Sequence, residues 1–167
     1  MATKREQEFL AEHLRYEIGM LRYAHALINI SPSGPDWNAY FECFATHARN
    51  LVQFLSDKRA LNSFKGSDFA SGYRQPKKDR IKGILQDMVE QVFHPTKNRK
   101  VRAAEKVNLG RCNVLATWVE NALTEFNVKV DEKFLPYWNG VPSVPSIPTG
   151  RAETACTEIS SSGGRRS

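Results

Sequence analysis

The sequence predicts an all-α protein, an up-down bundle of four to five helices with a long basic loop and a flexible C-terminal tail. Three observations lead there. Apolar residues recur at steps of three and four over several long stretches. Ser31-Pro32-Ser33-Gly34-Pro35 interrupts that periodicity early, and Pro95 interrupts it again later. With 167 residues, 41% of them apolar, the chain suits one domain with a sizeable core. The expected division is a bundle over 1–127, an extended segment docking on it over 128–144, and a disordered tail over 145–167.

The first helix is expected over 4–29, with Leu10, Leu14, Ile18, Leu21, Ala24 or His25, and Ile28 on one stripe. The Pro/Gly break ends it, and Asp36 is the expected N-cap of the next helix. That second helix, over 37–55, has the cleanest pattern. Trp37, Tyr40, Phe41, Phe44, Ala48, Leu51 and Leu55 form an apolar face, and Cys43, His47, Asn50 and Phe54 form a second stripe beside it. A His and an Asn therefore sit at the edge of a core. Two long helices joined by a short break pack most simply as an antiparallel pair.

Residues 58–78 have no stable period and read as a long loop, with Phe64, Phe69 and Tyr73 pinning it to the bundle. A third helix is expected over 79–93, capped by Asp79, with Ile81, Leu85 or Ile84, Met88 and Val92 inward. Pro95 stops it, because the residue before a proline is pushed out of the helical region. A fourth is expected over 101–126, with Ala104, Cys112, Leu115, Val119, Ala122 and Phe126 inward and Asn108 and Arg111 near the same stripe. Trp37, Trp118 and Trp138 are expected in the core or docking the tail.

Charge is unevenly distributed. The chain carries +6 overall, but residues 58–111 hold fourteen Lys/Arg against five Asp/Glu, so that segment is +9 and the remainder −3. A concentrated positive field favours polyanions such as RNA, DNA or nucleotides, or an acidic protein partner. A solvated basic surface without a specific ligand is the plainer alternative. The three cysteines, Cys43, Cys112 and Cys156, are odd in number and far apart, which argues against a disulfide framework or a zinc motif. No apolar run is long enough to cross a bilayer, and the charged start lacks a signal-peptide pattern. The expectations are a cytoplasmic location, no membrane partner and no cofactor. Phosphate loops, His-Glu-x-x-His, Gly-x-Ser-x-Gly, paired Cys-x-x-Cys and Glu-x-x-His di-metal motifs are all missing from the sequence.

Two short segments carry the candidate chemistry. His47-Ala48-Arg49-Asn50 lies mid-helix, and His94-Pro95-Thr96-Lys97-Asn98-Arg99 lies at a helix C-terminus. A C-terminal His is stabilised in its charged form by the helix dipole, and Thr and Arg supply a hydroxyl and a bidentate donor suited to phosphate. The expected site has His47 and His94 as catalytic groups. Arg49, Asn50, Thr96, Lys97, Arg99 and Arg111 are its phosphate-binding groups. The structural alternatives are a buried hydrogen-bonded pair for His47 and Asn50, a helix cap for His94, and a solvent-facing or carboxylate-paired Arg49.

The stretch from Ala39 through His47-Ala48-Arg49-Asn50-Leu51 to Leu55, with His94-x-Thr96-x-x-Arg99 later, resembles a set of small uncharacterised bacterial proteins. That set is similar to the HEPN-type helical bundles of the abortive-infection group. The resemblance implies four to five helices, often a homodimer, in a superfamily that includes metal-independent ribonucleases of toxin and phage-defence systems. In active members an Arg, four to six variable residues and a His on one helix perform the cleavage. Here the pair nearest to that spacing is Arg5 and His13, with seven residues between them, so the sequence departs from that pattern. The functional expectation is a domain that binds RNA or another phosphate-bearing ligand through its basic face, in a bacterial defence or toxin-antitoxin setting. The alternative is a non-catalytic, antitoxin-like interaction module with a structural polar seam.

Overall fold

The computed structural model describes residues 1–31, 33–57, 63–93 and 106–143. The chain begins with one long helical rod in three parts, α1 (Lys4–Glu8), a π turn (Phe9–His13) and α2 (Leu14–Ile30). Thr3 opens the rod with a capping box, accepting from the Glu6 amide while the Glu6 carboxylate accepts from the Thr3 amide at 2.6 Å. Those bonds from Thr3 also hold the Glu6 carboxyl below its ordinary range. Leu10, Leu14, Ile18, Leu21, Ala24 and Ile28 are all buried, so the expected stripe is the one that faces the core. The π turn was not foreshadowed by that stripe.

Helix α3 runs Pro35–Leu55. Asp36 is not its N-cap, as expected from residue type. Gly34 holds that position at φ +148°, where a side chain would be strained, and Pro35 occupies N1, where its missing N–H costs nothing. Asp36 lies in the first turn instead, where its charge complements the helix dipole. Contacts of His25 with Phe44, Glu17 with His47, and Phe9 with Phe54 show that α2 and α3 run antiparallel.

The long loop after α3 contains the short helix α4 (Gly66–Phe69). Phe69 is fully buried among Phe9, Phe54, Phe64 and Phe134, and the Tyr73 hydroxyl donates to the Leu55 carbonyl at 2.6 Å. The aromatic pins expected from the sequence are therefore in place. Helix α5 (Asp79–Val92) buries Ile81, Ile84 and Met88, with Lys78 rather than Asp79 at its N-cap. Its start, at Lys78 and Lys82, lines a groove with Ser56 at the end of α3, and its Val92 end faces the Trp37–Phe41 region near the start of α3, so α5 is antiparallel to α3.

Helix α6 (Leu109–Lys129) begins later than expected, and residues 106–108 are not helical. The Asn108 side chain caps it by accepting from the Arg111 amide at 3.1 Å, so Asn108 serves the helix end rather than a polar seam. Arg22 and Glu120 pair at 2.7 Å, and His25 and Asn113 at 2.7 Å, which sets α6 antiparallel to α2. Helices α2, α3, α5 and α6 thus form an up-down four-helix bundle. A 3-10 turn (Glu132–Phe134) then buries Phe134 and leads to buried Trp138, whose indole N–H donates to Asn127 at 2.8 Å. Arg15 and Arg22 hold the carbonyls of Gly140 and Pro142. Among the described residues there is no strand, and no helix is long and apolar enough to cross a membrane.

Candidate functional site

Helix α3 presents polar groups on two sides, and they do different things. Towards α2, His47 Nδ1 lies 2.8 Å from Glu17 Oε2, and Asn50 Nδ2 donates to both oxygens of the same carboxylate at 3.2 and 3.3 Å. The spacing of His47 and Asn50 puts both on one face of α3, one turn apart, where a single carboxylate can accept from each. His47 is only 8% exposed, and Tyr16 meets its ring edge-on at 5.6 Å between centroids. Burial, then the Glu17 charge, raises the pKa of the half-buried Cys43 thiol one turn earlier.

A cleft of about 420 Å³ opens in front of this triad, lined by Arg5, Glu8, Phe9, His13, Glu17 and Asn50 among others. The π turn determines which residues of the rod reach it. In a regular helix Arg5 and His13, eight steps apart, would point about 80° from one another. The Leu14 amide instead bonds back to Phe9, five residues earlier, so the turn absorbs one extra residue. Eight steps then behave as seven, about 20° from alignment, and both residues line the same cleft. The Arg5 guanidinium also lies 5.5 Å from the centre of the Phe64 ring.

Towards α5, Arg49, Val52, Gln53 and Ser56 line a larger groove of about 840 Å³, faced by Lys78, Asp79, Lys82, Leu85, Gln86 and Val89. Arg49 sits over the Phe93 ring at 5.2 Å, at the far end of the groove from the start of α5. Ser56 is 3% exposed, and its enclosed hydroxyl has no hydrogen-bond partner among the described residues. A buried hydroxyl without a partner is uncommon in a settled core. Around the start of α5, Arg74, Lys77, Arg80 and Lys82 are exposed, with Lys78 half-buried among them. None of the five forms an ion pair with a carboxylate among the described residues.

The expected site residues are thus distributed over three places. His47 and Asn50 meet at Glu17, while Arg49 faces the other side of α3 against Phe93. Arg111 pairs with Asp87 at 2.6 Å, tying α6 to α5. His94, Thr96, Lys97 and Arg99 lie outside the described residues. Sequence reasoning missed Glu17 as the acceptor, His13 as a cleft residue, and Ser56, Lys78 and Lys82 as a cluster. Lys78 and Lys82, four apart on one helix, were the one local signal for that cluster. Among the described residues no three His, Cys, Asp or Glu side chains form a group that could hold a metal ion.

Comparison of the chain with family models, curated proteins and solved structures returns no match. The functional reading therefore rests on the geometry of these two faces and on the resemblance of the His47 and His94 segments.

Proposed function

We propose that this protein is a HEPN-like helical bundle that binds RNA through the basic face around the start of α5. The observation that carries the reading is the run Arg74, Lys77, Lys78, Arg80 and Lys82. These are five cations with one acidic residue, Asp79, among them and no ion-pair partner among the described residues. Cations held without counter-charges on a folded surface keep a positive field that a phosphate backbone neutralises, releasing condensed ions as it binds. The face includes the rim of the α3/α5 groove, so the strand has a concave surface beside it.

A second reading, metal-independent cleavage of the bound RNA, has one supporting observation. The π turn places Arg5 and His13 on one side of a helix, lining one cleft, despite the long interval between them in sequence. In this reading His13 handles the proton at a ribose 2′-hydroxyl and Arg5 the phosphate charge. His47, held by Glu17 and almost wholly buried, serves to orient that cleft.

The test is binding and cleavage of a labelled mixed-sequence RNA in EDTA across a salt series, with wild type, Arg80→Glu/Lys82→Glu, His13→Ala and His94→Ala. Binding that weakens linearly in log–log form with salt, and at least about tenfold more weakly in the charge-reversed variant, supports the basic-face reading. No binding at low salt, or equal binding by the charge-reversed variant, overturns it in favour of a protein partner. Cleavage by wild type and loss of it in His13→Ala supports the second reading, whereas cleavage unchanged in His13→Ala rules it out.

A further inference from the structure

We infer, independently of the RNA-binding reading, that the groove between α2 and α6 is a docking site for this chain's own Val144-Pro145-Ser146 segment, with the Val144 side chain on its floor. The segment that follows buried Trp138 is then a strap that closes the α2/α6 seam.

The sequence of the strap carries a tandem pattern. Val141-Pro142-Ser143, Val144-Pro145-Ser146 and Ile147-Pro148-Thr149 each place a branched aliphatic residue, a proline and a hydroxyl in the same order. The first copy is docked. Val141 packs against the core, and the Pro142 carbonyl accepts from Arg22 just as the Gly140 carbonyl accepts from Arg15 at 3.1 Å. Arg15 precedes Arg22 by two turns of α2, so the strap advances along α2 in the direction of that helix. It runs against α6, because Trp138 is held by Asn127 whereas Pro142 is held by the Arg22 side chain that pairs with Glu120. Each Val or Ile of the pattern precedes a proline and is biased to extended backbone, and each proline fixes its own φ. The chain beyond Ser143 is thereby set to run on along the seam rather than to turn back.

The next surface in that direction is the groove, about 210 Å³, lined by Leu21, Arg22, His25, Ala116, Thr117 and Glu120. An extended strand of the polyproline type rises ~3.1 Å per residue, so Val144 falls about 6 Å beyond Pro142. About 6 Å is also four residues of α-helix. Counted back along α6 from Glu120 it reaches Ala116, and counted forward along α2 from Arg22 it passes His25, so Val144 comes level with the groove. The polar groups there are already engaged within the bundle. Arg22 pairs with Glu120, His25 meets Asn113 at 2.7 Å, and the Thr117 hydroxyl donates to the Asn113 carbonyl at 2.8 Å. The floor is Leu21 and Ala116, 1% and 6% exposed. Such a groove takes an aliphatic side chain rather than a polar ligand, and it is smaller than the roughly 300–1,000 Å³ of most small-molecule sites. A branched side chain on an extended strand meets both conditions.

The test is methyl and amide NMR of the isotopically labelled full chain. The expected result is a set of NOEs from the Val144 methyls to Leu21 and Ala116, retained on dilution, with the amides of residues 144 and 146 as rigid on the picosecond-to-nanosecond timescale as those of the bundle. Val144→Asp, which changes no residue of the helices, is expected to release both amides and leave the bundle spectrum in place. Thr117→Trp, at an exposed position on α6, fills the groove from the other side and is expected to release them too.

Val144 methyls without contacts to Leu21 or Ala116 in the wild type would overturn the docking site. NOEs that arise only between labelled and unlabelled copies in a mixed sample would overturn it in favour of the strap of a second copy. Amides at 144 and 146 that stay rigid in either variant would place the segment elsewhere. RNA binding is untouched by all of these outcomes, because its charge-reversed variant alters the opposite end of the sequence pattern, at Arg80 and Lys82.

Discussion

His47 and Glu17 are thirty positions apart in sequence, yet their side chains meet at 2.8 Å across the α2/α3 seam. Asn50 closes on the same carboxylate, so one acceptor on α2 serves two donors one turn apart on α3. The arrangement fixes the register of α2 against α3 at the mouth of the π-turn cleft. A one-turn slip would bury the imidazole against apolar groups without an acceptor.

His47→Ala is therefore expected to lower stability by about 1–3 kcal/mol, the scale of a partly buried hydrogen bond lost with one partner left behind. Denaturant unfolding measures it. His47→Gln, which keeps a donor, should recover part of the loss, and a loss below about 0.5 kcal/mol for His47→Ala would show the pair to be incidental.

Phe69 anchors the loop after α3 by inserting into a cluster of four other phenylalanines. Phe69→Ala removes a fully buried ring and is expected to cost about 3–5 kcal/mol. A protease that cuts in this loop should act far faster on the variant than on wild type. If stability falls but proteolysis is no faster, the ring is a core member without being the loop's anchor.

The π turn makes a prediction that a regular helix does not. Deleting exposed Ala11, inside the turn, should convert it to an ordinary α-helical turn while the flanking segments stay in phase. The shortened protein is expected to fold, with Leu10 and Leu14 still buried and thermal stability equal or higher. Unfolding of the deletion variant would contradict the idea that the turn holds one extra residue.

Burial pushes the Cys112 thiol up to about 12, from an ordinary value near 9. A raised folded-state value means the native state favours the protonated thiol. Its contribution is complete below about pH 9 and is lost as pH rises from there towards 12. Burial likewise raises the Tyr73 phenol well above its ordinary value, with the charges of Asp57 and Glu125 adding to the effect, so both groups act in the same direction. Stability measured by denaturant titration should be flat to about pH 9 and then fall, less steeply in Cys112→Ala. At neutral pH, thiol reagents followed by peptide mapping should modify Cys43 well before fully buried Cys112. Equal rates would show that α6 opens as easily as the edge of α3.

The bundle itself was legible in the sequence because helical periodicity is a local property. The stripes on α2, α3 and α5, the break before α3, and the aromatic pins Phe69 and Tyr73 all follow from residues within one or two turns of each other. Cap identity was less legible. Gly34 and Lys78 took positions that residue type had assigned to Asp36 and Asp79, because the chain's path into each helix outweighs the preference of a single side chain.

By itself the sequence determined that the chain is an α-helical bundle with a polar stripe on its central helix and a cationic segment after it. Only the tertiary structure decided what those polar groups meet. It gave His47 and Asn50 to Glu17, turned Arg49 to Phe93, set Arg111 on Asp87, and placed Ser56, Lys78 and Lys82 along one groove. The reason is that periodicity selects a helix face within a few residues, whereas a pairing partner depends on how distant helices slide and rotate against each other. That is settled by packing of the whole core, and here also by one extra residue in a π turn.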